Sequence, residues 1–132
     1  MNPELEIILR LLLATALGAG IGYQRERAKK PAGLRTHSLI ALGTALFTVA
    51  SIFAFGDGVD PSRVAAGVVA GIGFIGAGVI FRTADRVAGL TTAATIWVTA
   101  SVGLAAGAGM YLVSFLVALI ATIVLMIPKI RG

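Results

Sequence analysis

The sequence predicts an all-α, polytopic membrane protein of about five transmembrane helices, arranged as two parallel hairpin repeats plus a fifth helix. Three observations carry the prediction. Of 132 residues, 58% are hydrophobic before the 17 glycines are counted, while Asp, Glu, Lys and Arg reach only 13%, against roughly 25% in soluble domains. Mean hydropathy is +0.96, so most of the chain suits lipid better than water. Apolar stretches of near-span length recur along it, separated by short segments of turn chemistry. At this length the prior is one domain, residues 1–132.

The first span is predicted over residues 5–23, apolar apart from Glu6, Arg10 and Thr15. At about 1.5 Å per residue its length approaches the roughly 30 Å hydrocarbon layer. Residues 36–55, 64–81, 90–106 and 111–127 supply the other four. The breaks read Lys30-Pro31-Ala32-Gly33, Gly56-Asp57-Gly58-Val59-Asp60-Pro61, Asp85 to Gly89, and Gly107-Ala108-Gly109. Asp60-Pro61 is the clearest helix start, a capping carboxylate followed by proline at the first helical position.

Charge placement orients the bundle, because Lys and Arg accumulate on cytoplasmic loops. Arg25, Arg27, Lys29, Lys30 and Arg35 follow the first helix, Arg82 and Arg86 follow the third, and Lys129 and Arg131 lie in the tail. These five, two and two are nine of the eleven basic residues. Glu4, Glu6, Asp57 and Asp60 fall on the opposite face, where Arg63 is the only loop cation. The N-terminus is therefore expected outside and the C-terminus in the cytoplasm. The acidic start also argues against a signal peptide, despite Ala14-Thr15-Ala16. Read this way, the formal charge of +5 belongs to orientation and to contact with membrane lipids, not to nucleic acid.

Gly18-Ala19-Gly20-Ile21-Gly22-Tyr23 ends the first helix much as Gly76-Ala77-Gly78-Val79-Ile80-Phe81 ends the third. Each is followed by a basic loop and then by a matching opening, Ala32-Gly33-Leu34-Arg35-Thr36 or Ala88-Gly89-Leu90-Thr91-Thr92. Because the pattern holds through the loop, it is read as a parallel repeat with a pseudo-two-fold axis along the membrane normal.

Five segments then combine into a resemblance: Arg25-Glu26-Arg27, Ala32-Gly33-Leu34-Arg35-Thr36-His37, Asp60-Pro61-Ser62-Arg63, Gly71-Ile72-Gly73-Phe74-Ile75-Gly76-Ala77-Gly78, and Gly89-Leu90-Thr91-Thr92-Ala93-Ala94 with Trp97. In this order they resemble the membrane domain of the MgtC/SapB family of bacterial inner-membrane proteins, over nearly the whole chain. The resemblance implies a role in growth at low magnesium and, in pathogens, in survival inside macrophages. Family members have been described as magnesium transporters. The better-supported role for the family's namesake is regulatory, acting on other membrane machinery that includes the ATP synthase. Gln24 stands where many relatives have Glu, and the chain stops at Gly132, so no soluble C-terminal domain is expected.

Gly67, Gly71, Gly73, Gly76 and Gly78 give the third helix a face of small residues, with Gly67 and Gly71 on one side. Gly18 and Gly22, and Gly103 and Gly107, repeat the spacing. Close helix packing within one subunit is the expectation, with a subunit interface as the alternative. Thr92, Thr95 and Thr99 share a face of the fourth helix, either lining a polar groove or bonding carbonyls one turn back. Trp97 lies too deep for an interfacial belt and is expected to be buried against protein. Arg10 is expected to pair with Glu6 one turn earlier, a place in a permeation path being the alternative. Arg63, unfavourably placed at a helix N-terminus, is expected to pair with Asp60, Asp57 or Glu4.

The richest constellation is on the cytoplasmic side: Arg25, Glu26, Arg35 and His37 beside the N-termini of helices two and four, with Thr91 and Thr92. Free N–H groups next to arginines suit an anion, whether lipid phosphate, nucleotide or an acidic partner segment. Arg35 opens helix two where its repeat mate Thr91 opens helix four, which marks Arg35 as the expected centre of a ligand or partner site.

With no cysteine and one histidine, cysteine chemistry and multi-histidine metal sites are excluded, and no cofactor is implied. Carboxylates for a magnesium path are few and none is near mid-membrane. No nucleophile with a positioned base is visible, so the protein is not expected to be an enzyme. Three function classes follow: a regulatory or interaction protein, a transporter or channel for Mg²⁺ or another ion, and a lipid- or anion-binding protein. A homo-oligomer, in first place a dimer, is expected from the small-residue surface.

Overall fold

A computed structural model describes residues 2–82 and 84–128. Lys129 and Arg131, counted above among the orienting cations, lie outside the described residues. Five helices follow in order: α1 (Pro3–Arg27), α2 (Leu34–Phe53), α3 (Ser62–Ala77), α4 (Leu90–Gly107) and α5 (Tyr111–Leu125). A two-residue antiparallel ribbon, β1 (Phe81–Arg82) with β2 (Val87–Ala88), joins α3 to α4.

Each start follows from local chemistry. Asn2 caps α1, its Oδ1 accepting from Glu4 N at 2.8 Å, and Pro3 occupies the first turn. Glu4 and Glu6 in that turn, with Arg25 and Arg27 in the last, complement the helix dipole. At α3, Asp60 Oδ1 accepts from Ser62 N at 2.9 Å and Ser62 Oγ at 2.8 Å, so Asp60 serves this helix start as expected, while Pro61 stands just before Ser62, the first helical residue, and not in the helix. Those two donors hold the exposed Asp60 carboxyl below the usual carboxylate range.

Helix α4 is the hub of the bundle, touching all four others, whereas α3 leans on α4 and meets α2 only weakly. Small residues set the spacing. Ala14, Ala41, Ala45 and Ala106 are buried where α1, α2 and α4 cross, and Ile21, Val102 and Ala118 where α1, α4 and α5 meet. Ile72 with Ile96 and Ala100 fixes α3 to α4. Dispersion and close approach, more than water exclusion, hold such an interior together in lipid.

The expected boundaries are corrected at four helices: α1 runs on through residues 24–27, which places Arg25 and Arg27 in the helix and not the loop, α2 begins and ends two residues earlier, and α3 and α5 end short. Helices α1, α2 and α4 are long and apolar enough to cross a membrane. Helix α3 has 16 residues and α5 has 15, about 24 Å and 22 Å at the helical rise. Residues 78–81 are apolar, so hydropathy runs through them, but the helix has already ended at Ala77 and Phe81 enters the ribbon. Gly89 explains the turn back. Its φ is +89°, and a Cβ there would collide with Val79 O, so only glycine fits without strain.

Candidate functional site

Three consecutive residues in the last turn of α1 each fasten a different helix. Gln24 Nε2 donates to Leu125 O, at the end of α5, at 3.4 Å. Arg25 Nη2 donates to Thr92 Oγ1, in the first turn of α4, at 2.5 Å. Glu26 Oε1 accepts from Leu34 N, the first residue of α2, at 2.9 Å. Successive helical side chains diverge by about 100°, so one turn reaches three neighbours. A Cβ at Gly33 would collide with Glu26 Oε1 and so push that carboxylate off Leu34 N.

Arg25 is only 4% exposed and His37 is 0% exposed. His37 Nδ1 lies 2.9 Å from Gly33 O; a carbonyl can only accept, so Nδ1 carries the proton. Gln24 Oε1, Arg25 Nε and His37 Nε2 are buried without a hydrogen-bond partner among the described residues. Gly22 lets α1 come this close to α2, since a Cβ there would sit 2.8 Å from Gly33 O and 3.1 Å from His37 Cβ.

The expected cytoplasmic constellation divides. Arg25, Glu26, His37 and Thr92 come together, whereas Arg35 and Thr91 are exposed and Arg35 joins none of these bonds. Arg25, and not Arg35, is the buried arginine of the constellation. The sequence marks Gln24 only as a departure from the family pattern; a polar triplet closing an apolar helix is the feature that points to it. Thr95 Oγ1 donates to Thr91 O at 2.7 Å and Thr99 Oγ1 to Thr95 O at 2.8 Å. Of the two readings of the threonine face, bonding one turn back is the one observed.

At the opposite end, Arg10 gathers the termini of α4 and α5. Its Nη2 pairs with Glu6 Oε1 at 2.8 Å, its Nη1 donates to Gly107 O at 2.9 Å and its Nε to Tyr111 Oη at 3.2 Å. Tyr111 in turn donates to Glu6 Oε1 at 3.1 Å, and the guanidinium lies 5.1 Å from the Phe53 ring centroid. Two expectations fail. Arg63 makes no ion pair among the described residues, because Asp60 is turned to Ser62. Trp97 is 56% exposed on the outside of α4, where lipid can serve an indole ring as well as protein does.

The glycine pairs also divide. Gly18 and Gly22 seat α1 on α2, and Gly103 and Gly107 seat α4 on α2. Gly76 rests on Ala93 of α4, and Gly78 only on its own helix at Ile75 O. Gly67, Gly71 and Gly73 have nothing within 4 Å of an added Cβ, so packing within the subunit is corrected for these three. Gly67 and Gly71 instead floor an open groove of about 370 Å³ between α2 and α3, walled by Thr44, Phe47, Val68 and Ile75. Phe74, 84% exposed, lies beside them.

The MgtC family profile matches residues 11–130. YhiD of Escherichia coli K12, which bears the name of a candidate magnesium transporter, is 51% identical over 113 residues, covering 80% of this chain and 53% of that protein. SrpB of Synechococcus elongatus is 47% identical, covering 81% of this chain and 66% of that protein. MgtC of Salmonella typhimurium is 46% identical over 123 residues, covering 93% and 51%. The chain thus spans about half the length of YhiD and of MgtC. No solved structure matches it.

Proposed function

The chain belongs to the MgtC family, and from that premise we propose that it is a regulatory and interaction protein of the bacterial inner membrane, acting by binding partner membrane proteins and not by catalysis. In this reading it supports growth at low magnesium and survival inside host cells. Its partners include a second copy of itself, as a dimer, and machinery of the ATP synthase kind. Its N-terminus faces outward and its C-terminus the cytoplasm, the orientation that positive loop residues favour.

The open face of α3 carries the proposal. A Gly67-x-x-x-Gly71 pair with nothing against it, beside a groove walled by Phe47 and Ile75, is the surface on which another membrane helix packs closely. Gly71→Val puts bulk into that groove, where an added Cβ meets nothing within 4 Å. We expect it to abolish complementation of low-magnesium growth while membrane insertion and thermal midpoint stay unchanged. Full complementation by Gly71→Val would refute the interaction reading.

Transport of Mg²⁺ is the second reading, favoured by the name that YhiD bears. Magnesium is held by oxygen ligands, commonly one or two carboxylates and waters, and the six Asp and Glu residues of the chain all fall toward the ends of the helices or between them. Liposomes containing the purified protein are expected to show no saturable Mg²⁺ flux above empty vesicles. Robust flux, abolished by Asp60→Asn, would replace the interaction reading with transport.

A further inference from the structure

The two helix starts of the repeat are built alike and completed differently. At α2 the chain supplies its own anion, the Glu26 carboxylate on Leu34 N. At α4 no side chain caps the start at Gly89, and the first bond into the helix is Ala93 N to Gly89 O at 2.9 Å. The N–H groups of Leu90, Thr91 and Thr92 precede that bond and point out of the helix end. Beneath that turn lies Arg25, 4% exposed, with one nitrogen on the neutral Thr92 hydroxyl and Nε on nothing. A guanidinium does not shed its charge. Burying one without an anion is strongly unfavourable. Among the described residues no carboxylate lies within ion-pair distance of it.

We propose that the first turn of α4 and the guanidinium of Arg25 together bind a phosphate group, carried by an anionic phospholipid headgroup or by free phosphate. Helix N–H groups and a guanidinium fork both match phosphate oxygens. Leu90 and Thr91 are exposed beside the buried arginine, which leaves the turn open to approach. Arg27, Lys29, Lys30, Arg35 and Arg82 are also exposed at this end, as a headgroup layer requires. The site is separate from the α2–α3 groove and does not depend on the partner-binding reading.

The test uses the full chain in a neutral detergent, with thermal midpoint followed against added phosphatidylglycerol, phosphate-free diacylglycerol, or inorganic phosphate. Phosphatidylglycerol should raise the midpoint and diacylglycerol should not. A rise with inorganic phosphate as well assigns the site to the free anion, and its absence assigns it to lipid. Arg25→Gln should weaken the response by about tenfold or more, the scale of a lost charge-assisted fork. The double variant Lys29→Ala/Lys30→Ala should keep it. An equal response in Arg25→Gln, or no response of the wild type to either phosphate, overturns the proposal. Because Arg25→Gln can fail to fold, wild-type protein is also labelled with phosphatidylglycerol bearing a headgroup photocrosslinker. Labelling of residues 89–92 is expected, and labelling confined to other segments overturns the site.

Discussion

Gly103→Val is expected to leave no folded, monodisperse protein, whereas Gly67→Val should fold as well as wild type. The two residues share a motif and a helical setting. At Gly103 a Cβ would collide with Thr44 Oγ1 and Ala41 O and lie 2.9 Å from Ala41 Cα. Two of those atoms are backbone, which cannot rotate aside, so α2 and α4 must separate along the contact that also holds Gly107 against Ala45. Overpacking a close-packed core typically costs about 1–3 kcal/mol, occasionally more. Displacing two backbones across the central interface should exceed that range. At Gly67 nothing lies within 4 Å, and replacing glycine inside a helix recovers chain entropy, about 0.5–1 kcal/mol for alanine. Size-exclusion profile and thermal midpoint in detergent report both variants. A Gly103→Val protein that elutes and melts like wild type would mean that α2 and α4 do not cross here.

That contrast shows where the sequence was readable and where it was not. Helix order and the turns are legible because Asp60-Pro61, Gly33 and Gly89 act through their own backbone and near neighbours, whereas the Asn2 cap of α1 carries no such signal. The facing of each helix is not legible. In a soluble protein water marks one side of a helix, but here lipid and protein interior are equally apolar, so nothing in the sequence separates an outward Trp97 or an open Gly67–Gly71 pair from buried ones. The end of α3 was overrun for the same reason: Val79, Ile80 and Phe81 keep hydropathy high after the backbone has turned.

The candidate site was half legible. Residue type and position point to Arg25, Glu26, His37 and Thr92, but the break in the internal repeat points to Arg35 ahead of Arg25, and the buried arginine is Arg25. Rotation about α1 decides between them. Gly18, Gly22 and Arg25 stand at i, i+4 and i+7 and share one face. That face is the one α2 covers, with His37 O and Ala41 Cβ close to Gly18. An arginine continuing a glycine stripe is carried into the interior with it, while Arg35, two residues before His37, is turned outward.

Arg10→Ala should lower the thermal midpoint more than any other replacement of a charged residue at the acidic end, and Arg10→Lys should recover only part of the loss. One guanidinium there serves three acceptors: Glu6 Oε1, Gly107 O and Tyr111 Oη. Gly107 closes α4, so its carbonyl has no partner further along the helix. Removing the arginine strands that oxygen in a part-buried place, a loss of about 1–3 kcal/mol. It also frees the α4–α5 turn, where a Cβ on Gly109 would lie 3.1 Å from Arg10 Nη2, and the Phe53 ring loses its cation. An ammonium is a point donor and lacks the flat fork that spans the acceptors, so lysine keeps the Glu6 pair and gives up the rest. Tyr111→Phe removes one of these bonds and should cost less than Arg10→Ala. Glu6→Gln should act in the same direction as Tyr111→Phe, because the amide still accepts from the guanidinium. If Arg10 instead lines a path for ions, Arg10→Ala would leave the midpoint in place and change flux through reconstituted vesicles. The two measurements separate a brace from a pore.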